Sequence, residues 1–384
     1  MREADQAPLL FAHAAARGRA LAARLRGRRP LFVCTIAQTD TARIPGLSAA
    51  GATPALRELT PAADAEALYY GSARCLHGVP ANPLGPPGPA IITVAALRLA
   101  RIPYLVVDAG TRVRPQVPAI RLGETAGACI TTGRAVPHAE ELYERGRLLG
   151  AQLAACADYL VLAESVPGGT TTALAVLLAL GLDAAGRVSS SMAANPHGLK
   201  EAVARQGLAH VDRAAVARAP LQAVAAVGDP MQAAVAGLAL GACDRVPVVL
   251  AGGTQMAAVL ALARALRAQE GRRLEPRRIA IATTRWVLAD PAADLAGLVA
   301  QLGPYAVLGS GLSFAASRYA PLRRYEDFLV KEGVGAGGAA VAATLRVGAT
   351  VEQLRRAVER IYRRLPRGAP EATAAPETSV STAP

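Results

Sequence analysis

Short apolar runs that alternate with alanine-rich stretches restrict the fold of this 384-residue chain more than any other feature. Each run has the length and the branched aliphatic content of a buried strand, and each stretch between two runs is long enough for a helix. Because parallel strands need crossover connections of a dozen or more residues, the alternation predicts an α/β fold with a mostly parallel sheet and helices on both faces. The predicted strands are residues 31–36, 104–107, 159–162, 223–227, 246–251 and 279–283, and the predicted helices include residues 140–155, 171–180 and 231–242.

The two ends of the chain differ from this pattern. Residues 1–30 combine many arginines with Glu3 and Asp5 and lack the apolar stretch of a secretion signal, so a solvated helical segment is predicted. Residues 31–365 are predicted to form the Rossmann-like α/β domain, with the terminal helices making a smaller subdomain. Residues 366–384 mix proline, alanine, serine and threonine, which predicts a disordered tail.

The net charge of +13 does not indicate a nucleic-acid-binding protein. Lys200 and Lys331 are the only lysines, and the arginines are scattered without the interleaved aromatic residues of single-strand binders. The five cysteines are dispersed and are expected to be free thiols in a reducing compartment, which favours a cytoplasmic protein without a metal site. The apolar run from residue 173 to 182 is about half the length that a bilayer requires, so no membrane partner is expected.

Glycines, hydroxyl groups and acids follow the predicted strands. In open α/β sheets the carboxyl ends of the strands carry the ligand sites. One ligand cleft is therefore expected, built from the segments 108–110, 163–172, 228–231, 251–256 and 282–286.

The segment from Pro167 to Thr172 is the strongest candidate for anion binding. Gly168 and Gly169 let the backbone approach a ligand closely, and Thr170, Thr171 and Thr172 begin a helix whose free amides and dipole favour phosphate. The alternative is an ordinary capped turn. Glu164, just before this loop, is either a group that acts on another part of the ligand or a solvent-facing glutamate at a strand end.

A second glycine-rich segment runs from Lys331 to Gly338. Its glycines fit the spacing G-x-G-x-x-G, but no strand-ending acid follows about 20 residues later and too little chain remains for a βαβ half, so a dinucleotide site is not favoured. A lysine can serve as a point charge for phosphate, which makes Lys200 a candidate beside the serines around Ser190.

These segments, in this order, resemble the nicotinate-nucleotide:dimethylbenzimidazole phosphoribosyltransferase family, in particular its archaeal and cyanobacterial-type branch. The resemblance extends from about residue 31 to residue 338 and rests on the segments 44–52, 107–110, 164–172, 189–191, 228–231, 251–256 and 331–338.

The resemblance implies a pentosyltransferase that moves a phosphoribosyl group from nicotinate mononucleotide to an aromatic base, without a cofactor and as a homodimer. Glu332 would be the general base, and Glu164 a supporting acid. The implied substrate-binding residues are Gly168, Gly169, Thr170, Thr171, Thr172, Ser190, Lys200, Asp229, Gly252, Gly253, Thr254, Gly333, Gly335 and Gly337.

The residues leave two questions open. Dimethylbenzimidazole, another benzimidazole, a purine and a phenol all remain possible acceptors. Because Val334 and Ala251 depart from the family pattern, a nucleotide-binding or regulatory protein that keeps the fold without catalysis is the alternative.

Overall fold

The structure is a computed structural model, and it describes residues 7–51, 53–76, 78–192 and 194–365. The predicted tail at 366–384, the first six residues and His77 lie outside the described residues. The strands are β1 (Leu9–His13), β2 (Pro30–Ala37), β3 (Tyr104–Gly110), β4 (Ile120–Arg121), β5 (Tyr159–Ser165), β6 (Val248–Ala251), β7 (Ile279–Thr284) and β8 (Ala306–Ser310).

Helices connect most of the strands. They are α1 (Ala15–Leu25), α2 (Pro54–Tyr70), α3 (Ala90–Ala100), α4 (Ala139–Leu153), α5 (Gly169–Ala179), α6 (His197–Leu208), α7 (Arg213–Arg218), α8 (Leu221–Val227), α9 (Pro230–Ala242), α10 (Thr254–Gln269), α11 (Arg285–Leu288), α12 (Leu295–Leu302), α13 (Ala320–Arg323), α14 (Ala336–Val347) and α15 (Val351–Arg364).

The strands form one eight-stranded sheet in the order β1-β8-β7-β6-β5-β2-β3-β4. Every neighbouring pair is parallel except β1 and β8, which are antiparallel. The predicted α/β fold with a mostly parallel sheet is therefore confirmed. The chain moves from β2 outward to β3 and β4 and then returns to place β5 on the other side of β2. The carboxyl ends of β2 and β5 thus flank a point where the strand order reverses, which is where such sheets bind ligands.

Helices cover both faces of the sheet, because successive side chains of each buried strand point to opposite sides. Val33 of β2 packs in the core of one face, whereas Phe32 and Cys34 pack in the core of the other. The terminal helices α1 and α15 lie on this second face, where Leu21 and Leu354 are buried with Phe32. The division of the chain into domains stays a prediction.

Two sequence predictions need correction. Residues 223–227 are not a strand but part of the helix α8. A five-residue run of alanine and valine has the same composition in a buried helix and in a strand, so periodicity does not separate the two. The segment 1–30 is not wholly helical, since it contains β1 before α1. The predicted strands also omitted β4 and β8.

Candidate active site

A cavity of about 940 Å³, including its open mouth, lies at the carboxyl ends of β5, β6 and β7. Its wall contains many of the predicted site residues, namely Glu164, Gly168, Gly169, Thr170, Ser190, Gly253, Thr254, Glu332 and Gly333. Other predicted residues are not part of the wall, namely Thr171, Thr172, Lys200, Asp229, Gly252, Gly335 and Gly337.

Two helix N-termini point toward this cavity. Gly168, with a φ of 77°, precedes α5, and Gly253 precedes α10. The backbone at position 168 needs the left-handed conformation that glycine adopts without strain. Partial positive charge at both helix ends, with amides of the loop 168–170 on the wall, suits an anionic ligand group.

Asp229 does not line the cavity but supports the loop 168–170 from the side away from it. Its carboxylate caps α9 in a capping box with Gln232, and its Oδ2 lies 2.5 Å from the hydroxyl of Thr172. Thr172 in turn lies 2.9 Å from the carbonyl oxygen of Gly169. Burial raises the pKa of Asp229 to about 6, although the bond from Thr172 opposes this rise. The hydrogen bond between Thr172 and Asp229 connects the first turn of α5 to the start of α9.

Glu332 is part of the cavity wall, is partly exposed and is held by four groups. Its Oε2 accepts hydrogen bonds from the Thr283 hydroxyl at 3.0 Å and the Thr284 amide at 2.9 Å. Its Oε1 accepts from the amides of Gly333 and Gly337 at 3.2 and 3.1 Å. Burial raises the pKa of Glu332 to about 7, while these donors favour the ionised form and oppose the rise.

Glu164 has fewer partners and lies deep in the same site. The only hydrogen bond to its carboxylate among the described residues comes from the Val166 amide, at 3.2 Å from Oε2. Gly252 leaves room beside its Oε1, since a Cβ there would lie 3.6 Å from that atom. Burial first, and then repulsion from Glu332 and Asp229, raise the pKa of Glu164 to about 8. At neutral pH these effects leave Glu164 protonated in preference to Glu332.

The two lysines of the chain lie close to one buried acid, Asp290, and Lys331 bonds to it. Lys331 lines the cavity and its Nζ lies 2.7 Å from Asp290 Oδ2, which also accepts the Ser189 hydroxyl at 3.1 Å. Lys200 is fully buried behind the serines at 189–191 and donates to the Ser189 carbonyl at 2.5 Å. Burial and the charge of Lys331 lower the pKa of Lys200 to about 7. The lysine that reaches the cavity is therefore Lys331, which the sequence analysis placed only in a glycine-rich segment.

The expectation of one cleft from every strand end is only partly correct. Asp108 at the end of β3 is not part of the cavity wall, because its carboxylate accepts from the Gly110 amide and the Thr111 hydroxyl at 3.0 Å each and shapes the turn there. Asp229 follows a helix rather than a strand. Asp64 lies on the wall but outside every predicted cleft segment, whereas Gln255 lies in the predicted segment 251–256 without having been named as a binding residue. Asp64 lies inside a helix, where no strand-end pattern could identify it.

The described residues contain neither a candidate metal site nor a candidate membrane span. No group of three histidine, cysteine, aspartate or glutamate side chains there has the arrangement to hold a metal ion. None of the helices in the described ranges is both long and apolar enough to cross a membrane.

Curated relatives cover most of the chain. A UPF0284 protein from Methanothermobacter thermautotrophicus is 45% identical over 339 residues, which is 87% of this chain and 92% of that protein. A UPF0284 protein from Gloeobacter violaceus is 46% identical over 348 residues, which is 89% of this chain and 90% of the relative. No protein-family model matches the chain.

Solved structures with the same fold come from Thermus thermophilus. A nicotinate-nucleotide-dimethylbenzimidazole phosphoribosyltransferase superimposes with a TM-score of 0.55 at 21% identity and covers 91% of this chain and 88% of its own. A structure described as CobT superimposes with a TM-score of 0.56 at 22% identity, covering 91% and 89%. At this identity the likeness shows the fold, and the predicted resemblance is confirmed at that level.

Proposed function

The chain belongs to the UPF0284 family, and we propose that it transfers the phosphoribosyl group of nicotinate mononucleotide to a ring nitrogen of an aromatic base. The observation that carries this proposal is the presence of two carboxylates, the buried Glu164 and the half-buried Glu332, in one cavity with two helix N-termini. The shared fold with the Thermus transferase supports it.

The phosphate of the nucleotide binds at the loop 168–170. The N-terminus of α5 supplies amides there, α10 adds its dipole, and Lys331 provides a cation on the same wall. Thr172 and Asp229 hold the loop in place from behind. Ser190 and Thr254 line the wall beside Lys331 and offer hydroxyl groups to the ribose phosphate.

The leaving group explains why an ionised carboxylate, that of Glu332, suits this cavity. In nicotinate mononucleotide the glycosidic nitrogen belongs to a cationic pyridinium, and the sugar develops further positive charge as the bond breaks. An ionised carboxylate in a buried site stabilises such charge more than it would in water. The pyridinium leaves as a neutral ring, so this chemistry needs no metal-bound pyrophosphate and no cofactor.

Glu332 is the proposed general base. The acceptor nitrogen attacks the anomeric carbon, the bond to nicotinate breaks with its electron pair returning to the pyridine ring, and the proton of the acceptor ring passes to Glu332. Glu164, protonated at neutral pH, stays as the supporting acid. With dimethylbenzimidazole the products are α-ribazole 5′-phosphate and nicotinate. A homodimeric state and a cytoplasmic location are part of the same proposal.

The test is product analysis after the purified protein is mixed with nicotinate mononucleotide and dimethylbenzimidazole, beside a Glu332→Gln control. Release of nicotinate together with α-ribazole phosphate, lost in the control, is the expected result. Absence of product with dimethylbenzimidazole, benzimidazole and adenine would contradict transferase activity.

A nucleotide-binding protein without catalysis is the second candidate, and one observation favours it. Both oxygens of Glu332 already accept hydrogen bonds from the protein, as expected for a carboxylate that only caps the N-terminus of α14. Nucleotide binding without turnover, unchanged by Glu332→Gln, would support this candidate.

A further inference from the structure

One end of the cavity differs from the phosphate end and has no assigned role. Its wall is largely apolar and rigid, with Pro80, Ala81, Pro89 and Val330. Pro89 lies against the backbone beside Glu332, since a Cβ at Gly333 would come within 2.9 Å of its ring. A flat aromatic ring fits such walls, so this end is suited to the acceptor base of the proposed reaction.

The wall of the same cavity includes a carboxylate. Asp64, on the face of α2 that also carries Thr60, lines the cavity although only 4% of its surface is exposed. Its Oδ2 accepts a hydrogen bond of 2.7 Å from the hydroxyl of Ser165, the residue after Glu164. Its Oδ1 is buried and has no partner among the described residues.

An unpaired carboxylate oxygen in such a place is costly. Buried polar atoms are nearly always hydrogen-bonded, and an exception calls for a bound partner or a function. Burial raises the pKa of Asp64 to about 7, against the opposing bond from Ser165. A ligand that brings an N–H or O–H donor to Oδ1 would remove this cost, whereas a purely apolar ring would leave it in place.

We propose that Asp64 selects the acceptor base by accepting, at Oδ1, a hydrogen bond from an amino or hydroxyl group on the base. This inference rests on the proposed transfer reaction and adds the substrate class to it. Asp64 is thus a specificity residue at the base end, and Ser165 orients its carboxylate. The site favours bases with a donor substituent over the same ring without one.

Adenine and purine form the matched pair that tests this, because they differ only in the amino group. The two bases compete at equal concentration for nicotinate mononucleotide, and the ratio of their nucleotide products is measured. A site built around a hydrogen bond discriminates strongly against the analogue that lacks it. The wild type is expected to favour adenine by about tenfold or more, and Asp64→Ala to bring the ratio close to one.

Two further variants complete the test, one without the carboxylate and one as a control. Asp64→Leu removes the carboxylate without leaving a hole and is expected to lose the preference as well, which covers the case in which Asp64→Ala does not fold. Thr60→Val changes the same helix face of the wall, but the Thr60 hydroxyl already bonds to the Ala50 carbonyl at 2.9 Å, so the preference is expected to remain. A wild type without preference, or a preference that survives in both Asp64 variants, would overturn the inference.

Binding separates this inference from the proposed reaction. Adenine and purine are titrated calorimetrically into the protein saturated with nicotinate mononucleotide, in wild type and variants. If no base yields a nucleotide product, the transfer reaction is wrong. The difference in affinity between adenine and purine, and its loss in the Asp64 variants, still decides whether Asp64 recognises a donor group.

Discussion

Glu164 and Glu332 line the same cavity, Glu164 from β5 and Glu332 from the segment before α14. Repulsion between the two carboxylates raises the pKa of Glu164. The two acids differ in their partners. Glu332 accepts hydrogen bonds from four donors, whereas Glu164 accepts one from Val166. The result is a pair with pKa values of about 7 for Glu332 and about 8 for Glu164. Such a pair carries about one proton near neutral pH.

A bell-shaped pH profile follows for the proposed transferase. The base must be ionised, so kcat/KM is expected to fall as the pH drops through about 7 and Glu332 is protonated. The supporting acid must be protonated, so the rate is also expected to fall as the pH rises through about 8 and Glu164 ionises. In Glu164→Gln the alkaline limb should disappear and the acidic limb should remain. Initial rates of nicotinate release between pH 5.5 and 9.5 measure this.

Glu144→Gln on the exposed surface of α4 is the matched control for that profile, and both limbs should remain. An alkaline limb that persists in Glu164→Gln would assign it to another group.

The stability of the protein should also depend on Glu164. Its pKa is 4.5 in the unfolded chain and about 8 in the fold, so the fold binds the proton more tightly. Folding stability from this group is therefore fully present below pH 4.5 and is lost as the pH rises through about 8. Glu164→Gln cannot ionise, so its Tm should exceed that of the wild type at pH 8.5 and match it at pH 5. Thermal unfolding by circular dichroism at both values checks this, and a Tm advantage that is equal at both would argue against a buried acid.

Much of the fold could be predicted because the central strands are fully buried. β2, β7 and the first five residues of β5 are continuous runs of apolar or branched residues, and a strand buried on both faces has that composition. The strands at the edges of the sheet were harder to predict. β1 lies in an arginine-rich segment and pairs antiparallel with β8, a contact between residues about 300 positions apart that no local pattern contains.

The candidate site was predictable where it follows strands. Glu164 lies near the carboxyl end of β5, and Gly168 and Gly253 follow β5 and β6, so their meeting follows from the parallel sheet. Asp64 and Asp290 do not follow strands, and their positions depend on how α2 and the segment after α11 pack. Sequence spacing carries no information on that packing.

The two lysines should differ in their effect on nucleotide affinity. Lys331 lines the cavity beside the phosphate loop, whereas Lys200 donates to the Ser189 carbonyl behind it. Lys331→Met is therefore expected to raise the Kd for nicotinate mononucleotide by about tenfold or more, as for a lost charge-assisted hydrogen bond. Lys200→Met should change it much less. Calorimetric titration of both variants measures this, and a larger loss in Lys200→Met would support the prediction made from the sequence.

Close packing of α14 on β7 should make Gly337 intolerant of any side chain. An added Cβ would lie 1.9 Å from the carbonyl carbon of Thr283, a backbone atom that cannot move aside. Gly337→Ala would therefore push the start of α14 away from the sheet and break the bond from the Gly337 amide to Glu332. We expect a loss of about 2 kcal/mol or more of unfolding free energy, as for other overpacked cores.

Gly198→Ala in the first turn of α6 is the control, because nothing lies within 4 Å of its added Cβ. Its stability should be unchanged or higher by about 0.5–1 kcal/mol, since alanine favours helices over glycine. Urea unfolding of the two variants compares them, and a Gly337→Ala protein as stable as the wild type would show that α14 does not hold Glu332 in the way described.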